Sequence, residues 1–164
     1  MEGVGLNRVA LAATLHCLGG CAVGEVLGLA LGTALGWGNG ATIAVAVALA
    51  FVFGYLFTLG PLLRAGIPPR RAFALTLASD TLSIAIMELV DNAIMLAIPG
   101  AMDAGLTDPR FWLALTASLV LAGFAAFPAN RWLIARGRGH AVVHAAHAGH
   151  PPDSGDRHPH HHRH

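Results

Sequence analysis

The chain has 164 residues, of which 55% are hydrophobic and only 12% charged, and its net charge is +1 with histidine neutral. That charged share is about half the ~25% of a soluble domain, and the mean hydropathy is +0.60. These values exclude a disordered body, argue against a water-soluble globule, and provide no basic field for nucleic acid. Two cysteines do not make a disulfide scaffold.

A bilayer core of about 30 Å needs about 20 apolar residues in a helix, and four stretches qualify. Val9 to Gly36 contains one charge, Glu25. Ala41 to Leu63 contains none. Ala72 to Ile98 contains Asp80, Glu88 and Asp91. Phe111 to Asn130 contains none. The expected fold is therefore all-α: a four-helix transmembrane domain over residues 1–139 with a His-rich tail over 140–164. The joints carry breaker chemistry, with Gly36-Trp37-Gly38-Asn39-Gly40, Pro68-Pro69, Pro99-Gly100 and Asp108-Pro109 between successive spans. The first apolar run is too long for a cleaved signal peptide, so it is expected to remain as a span.

Arginine sets the expected orientation. Arg8, Arg64, Arg70, Arg71, Arg131, Arg136 and Arg138 all fall at one end of the predicted bundle, whereas the joint after span three holds Asp103 and Asp108 against Arg110. Positive loops stay cytoplasmic. This predicts a multi-pass protein of a bacterial inner membrane with both termini in the cytoplasm.

The tail differs in kind. His140, His144, His147 and His150 are spaced to collect on one side of a helix, Pro151-Pro152 ends it, and disorder is expected from about residue 151. Neutral imidazole suits zinc, copper or nickel, so these four histidines are expected to capture metal.

Spans one and three carry the chemistry. In span one, Gly20, Gly24, Gly28 and Gly32 recur every four residues, a ridge on which another backbone can approach closely. Cys17, Cys21 and Glu25 run beside it at the same spacing, with His16 at their border. In span three, taking Asp80 as zero at about 100° per residue, Met87, Asp91, Met95 and Glu88 fall at roughly −20°, +20°, +60° and +80°, with Asn92 on the rim. Each acid at the bilayer centre costs about 2.5–3.5 kcal/mol. No arginine or lysine lies within the spans to pair with four such acids, which leaves protons or metal cations. Counted from the first apolar residue of each span, His16, Cys17, Cys21 and Asp80 form an inner layer. Glu25 and Glu88 form a central layer, with Asp91 a turn beyond. Two carboxylates in one low-dielectric layer do not both ionise cheaply, so they share a proton or a cation.

The segments His16-Cys17-Leu18-Gly19-Gly20-Cys21-Ala22-Val23-Gly24-Glu25-Val26-Leu27-Gly28 and Met87-Glu88-Leu89-Val90-Asp91-Asn92-Ala93-Ile94-Met95 resemble a bacterial membrane family, domain of unknown function 4396. Ile98 to Asp103 and Phe127 to Trp132 match it as well, and the resemblance covers about residues 10 to 140. It implies a small four-span integral membrane protein. It implies no activity or ligand.

The expected function is to bind or conduct a cation, with copper or zinc first. Glu25, Asp80, Glu88, Asp91 and Asn92 would be the ion-binding groups, and His16, Cys17, Cys21, Met87 and Met95 the metal ligands. Thiolate, thioether and imidazole together favour Cu(I), and the carboxylates favour zinc. No catalytic residue and no organic cofactor are expected. Lipid is the expected surroundings, with a second copy or a membrane partner docked on the glycine ridge. A non-catalytic subunit of a membrane complex is the alternative. A thiol-disulfide oxidoreductase is a further one, weakened because Cys17 and Cys21 lie one helical turn apart on the reducing side.

Overall fold

The computed structural model describes residues 2–136, with side chains from Val4 onward. The four tail histidines therefore lie outside the described residues. Four helices account for nearly all of it: α1 (Glu2–Leu35), α2 (Asn39–Arg64), α3 (Pro69–Ala97) and α4 (Pro109–Ala135). All four are long and apolar enough to cross a membrane, and no strand occurs among the described residues. The chain is thus an all-α, multi-pass membrane bundle.

Local chemistry sets the helix ends. Gly36 takes φ 66°, donates to Thr33 O and lets Trp37 donate to Gly32 O at 2.9 Å, which closes α1 with a left-handed glycine cap. Gly66 closes α2 in the same way. Pro69 and Pro109 occupy first-turn positions that need no N–H, and the Asp108 side chain caps α4 by accepting from Arg110 N at 2.9 Å.

Consecutive helices run antiparallel around a ring, each packed on its neighbours, and α1 also meets α3 across the middle. The basic residues Arg8, Arg64, Arg70, Arg71, Arg131 and Arg136 gather at one end, here the basic end, and every one of them is exposed. Trp37 and Trp112 stand at the far end and Trp132 at the basic end, each 40–47% exposed. That is the placement of membrane-interface anchors.

Two helices outrun their apolar stretches. α1 starts seven residues before Val9, and α4 continues through Pro128 and Asn130 to Ala135. The two extensions hold each other. Buried Asn130 donates to Thr14 Oγ1 at 2.8 Å, and Arg131 Nε donates to Asn7 Oδ1 at 2.9 Å. The proline removes one helical hydrogen bond, but these cross-helix contacts carry α4 past it.

The glycine ridge has its partner within the chain. Gly20, Gly24, Gly28 and Gly32 of α1 lie against Gly54, Ala50, Ala46 and Thr42 of α2, in antiparallel steps of four. A methyl group on Gly20 would fall 2.5 Å from the Gly54 backbone, and one on Gly28 would fall 2.5 Å from Ala46. The expected use of this ridge to dock a second copy is therefore corrected: α2 already fills it. The second ridge, Thr42-Ala46-Ala50-Gly54, is as regular in sequence as the first.

Candidate functional site

With α2 seated on the ridge, the neighbouring stripe of α1 turns toward α3. Cys17 is 3% exposed and Cys21 fully buried, and both are free thiols. From α3, Asp80, Met87, Glu88, Asp91 and Met95 are all buried, at 6%, 0%, 4%, 1% and 4% exposure. Asn92 and Glu25 are half-buried. The two faces foreseen from periodicity do meet.

Cys17 and Asp80 share a layer as expected, but Cys21 and Glu25 sit further along α3 than the expected layers place them. Cys17 lies beside Asp80 and Ser83. Cys21 lies beside Glu88, and so does not share the Asp80 layer. Glu25 lies beside Asn92, with Asp91 and Glu88 both near, and so does not pair with Glu88 alone. The helix starts differ in the same sense. α1 begins seven residues before Val9 and α3 only three before Ala72, a difference of four, which is close to one turn. Depth counted from the first apolar residue therefore gives the level of Cys17 but not those of Cys21 and Glu25.

The result is a ladder of three stations along the bundle. At the basic end Asp80 accepts from Ser79 Oγ at 2.6 Å, with Thr58 of α2 beside it. In the middle stand Cys21, Met87 and Glu88, packed with Ala50, Ile84 and Ala122. Toward the far end Asp91 accepts from the buried Ser118 hydroxyl of α4. Asn92 donates to the Glu88 carbonyl at 2.9 Å and to its carboxylate at 3.5 Å. One oxygen of each acid (Glu25 Oε1, Asp80 Oδ2, Glu88 Oε1, Asp91 Oδ2) is enclosed with no hydrogen-bond partner. Buried polar atoms in proteins are rarely left so. Thr76 and Ser83 carry hydroxyls in the same condition.

His16 does not join this interior. It is exposed on the lipid side of α1, edge-on to the Phe57 ring at 5.8 Å, and reaches the site only through its nearness to Asp80. Among the described residues no three His, Cys, Asp or Glu side chains group as ligands for one metal ion. Sequence reasoning passed over Ser118, Thr58 and the Thr14–Asn130 pair. The signal for Ser118 was a hydroxyl between the small residues Ala114 and Ala122 on one face of the span.

The far end is roofed by the joint between α3 and α4. Ala101 and Ala104 of that joint are buried against Met95, Phe111 and Ala114. Beneath it lies a cavity of about 20 Å³, lined among others by Glu25, Thr42, Asn92, Met95, Met102 and Phe111. It holds about one water-sized body.

The family model for a domain of unknown function, DUF4396, matches residues 6–139. The chain belongs to the DUF4396 family. That match takes in all three stations and the roofed cavity. No curated protein and no solved structure matches the chain.

Proposed function

We propose that this DUF4396 protein binds or conducts a cation through the membrane along the acid and sulfur groups shared by α1 and α3. The observation that carries the reading is the set of four acids whose enclosed oxygens lack partners, in a bundle whose arginines are all exposed. A carboxylate stripped of water and of any cation costs several kcal/mol. A proton or a metal ion supplies what the fold omits.

The geometry favours transit over storage. A resident zinc site gathers four ligands on one ion, and no such gathering of His, Cys, Asp and Glu is present among the described residues. The groups are instead spread over successive turns, each offering one or two donors. A passing ion is handed between such stations. Copper and zinc are the transition metals these donors suit. By the arginine asymmetry, we place the basic end and both termini in the cytoplasm of a bacterial inner membrane, with the roofed cavity outside.

The test is flux into vesicles containing the purified full-length protein, with protons and metal ions assayed in parallel. Glu88→Gln and Asp91→Asn should each lower flux by about tenfold or more, as loss of a charged ligand does, while membrane insertion is unchanged. Full flux in both variants would reduce the buried acids to packing groups.

A further inference from the structure

The cation reading leaves protons, copper and zinc side by side, and the distribution of sulfur separates them. Beyond Met1 the chain has five sulfur-bearing residues: Cys17, Cys21, Met87, Met95 and Met102. Four of them are buried, and the half-buried fifth, Met102, lines the roofed cavity. None is spent on the lipid-facing surface, where leucine and phenylalanine dominate. The sulfurs form two groups. Cys17, Cys21 and Met87 share the central core, and Met95 and Met102 share the far end.

We propose that the far-end cavity is a binding site for a soft monovalent metal ion of the Cu(I) or Ag(I) type, held by the Met95 and Met102 thioethers with Glu25 as its counter-charge. This rests on the cation reading and names the ion that such a path admits. Gly100, at φ 78°, turns the chain back after α3. That reversal brings Met102 over the last turns of α3, so that it lines the same cavity as Met95. Glu25 lines it too, and its Oε1 is enclosed without a partner. Thioethers select soft cations such as Cu(I). They are neutral, so one carboxylate balances one positive charge. Glu25 is the one acid in the lining, with Asp91 and Glu88 near it, so the pair of thioethers, not the charge count, is what selects a soft ion here. The amide nitrogen of Asn92 is engaged with the Glu88 carbonyl and carboxylate, which ties the floor of the cavity to the next station.

The site differs from the expected ligand set. His16 is out of reach of it, and Met102 was not among the residues singled out in the sequence. The deeper sulfurs give a soft ion further donors once past the mouth.

The probe is Ag(I), which is redox-inert, titrated into full-length protein in detergent micelles with ¹³C-methyl-labelled methionine. The Met95 and Met102 methyl signals should move together along one common binding curve, while Met1 stays in place. Histidines of the tail also take up Ag(I) but do not move these two signals. Met95→Leu should abolish the Met102 shift, and Met102→Leu the Met95 shift. Leucine conserves the volume, so the fold should survive, and Met87 signals unchanged before Ag(I) is added would verify that. Glu25→Gln should weaken binding by about tenfold. Met95 and Met102 signals that stay still in excess Ag(I), or move independently of each other, would overturn the proposal. If they stay still while proton flux remains sensitive to Glu88→Gln, the soft-metal site falls and the cation path stands. If they move together while flux ignores Glu88 and Asp91, the site stands and the path falls.

Discussion

Gly20→Ala tests the central packing contact of the fold. The added methyl would fall 2.5 Å from both the Cα and N of Gly54, and 3.2 Å from the Phe53 carbonyl carbon. All three are backbone atoms, so no side chain can rotate away. Restoring an ordinary 3.4 Å contact requires α1 and α2 to separate by nearly 1 Å. Forcing a methyl into a packed interior costs about 1–3 kcal/mol, while replacing glycine in a helix returns up to about 1 kcal/mol of propensity. Gly60→Ala isolates the second term, because Gly60 lies within α2 and a methyl there meets nothing within 4 Å. Both variants gain the propensity, so their difference reports the clash alone. Titration of the folded protein with SDS in mixed micelles, followed by tryptophan fluorescence, should place Gly20→Ala about 1–3 kcal/mol below Gly60→Ala. A difference under about 0.5 kcal/mol, the usual scatter between independent sites, would refute backbone contact along the ridge.

Ser118→Ala removes the hydroxyl that donates to buried Asp91. The loss should destabilise the bundle by about 1–3 kcal/mol in the same titration, and Asp91→Asn should absorb part of that cost because the two groups form one unit. Orientation is testable with reporter fusions. A cytoplasmic reporter should be active after residue 136 and a periplasmic one at Asp103, and neutralising Arg64, Arg70 and Arg71 together should yield mixed orientations.

The four helices were legible because length and hydropathy alone decide what crosses a bilayer, and the glycine and proline joints mark where each helix ends. The polar face of α3 was legible for a similar reason: Asp80, Met87, Asp91 and Met95 recur at helical spacing. The register between α1 and α3 was not legible. It depends on which side chains of the two helices meet, and α1 is also held by polar contacts from Asn130 and Arg131, more than a hundred residues away. The partner of the glycine ridge was half legible. Thr42, Ala46, Ala50 and Gly54 repeat at the same spacing, but small residues in an apolar span carry no mark of which neighbour they meet. Met102 was hidden because a joint without periodicity gives no face to a side chain.

The two stripes of α1 divide the work of the bundle. The glycine stripe holds α2 through backbone contact, and the adjoining Cys17-Cys21-Glu25 stripe is thereby turned inward to α3. Small-residue packing needs no acid to succeed. The contact between α1 and α4 likewise uses no acid, with Gly123 placed against Leu18, Asn130 bonded to Thr14 and Arg131 to Asn7. Asp91 helps to join α3 to α4 through Ser118, whereas Glu25, Asp80 and Glu88 each carry an insertion cost with one enclosed oxygen left unpartnered. On the proposed cation reading, that cost is offset by what the acids bind. On this argument Glu88→Gln should insert at least as well as the native chain and still lose flux, a combination that a structural role for Glu88 does not produce.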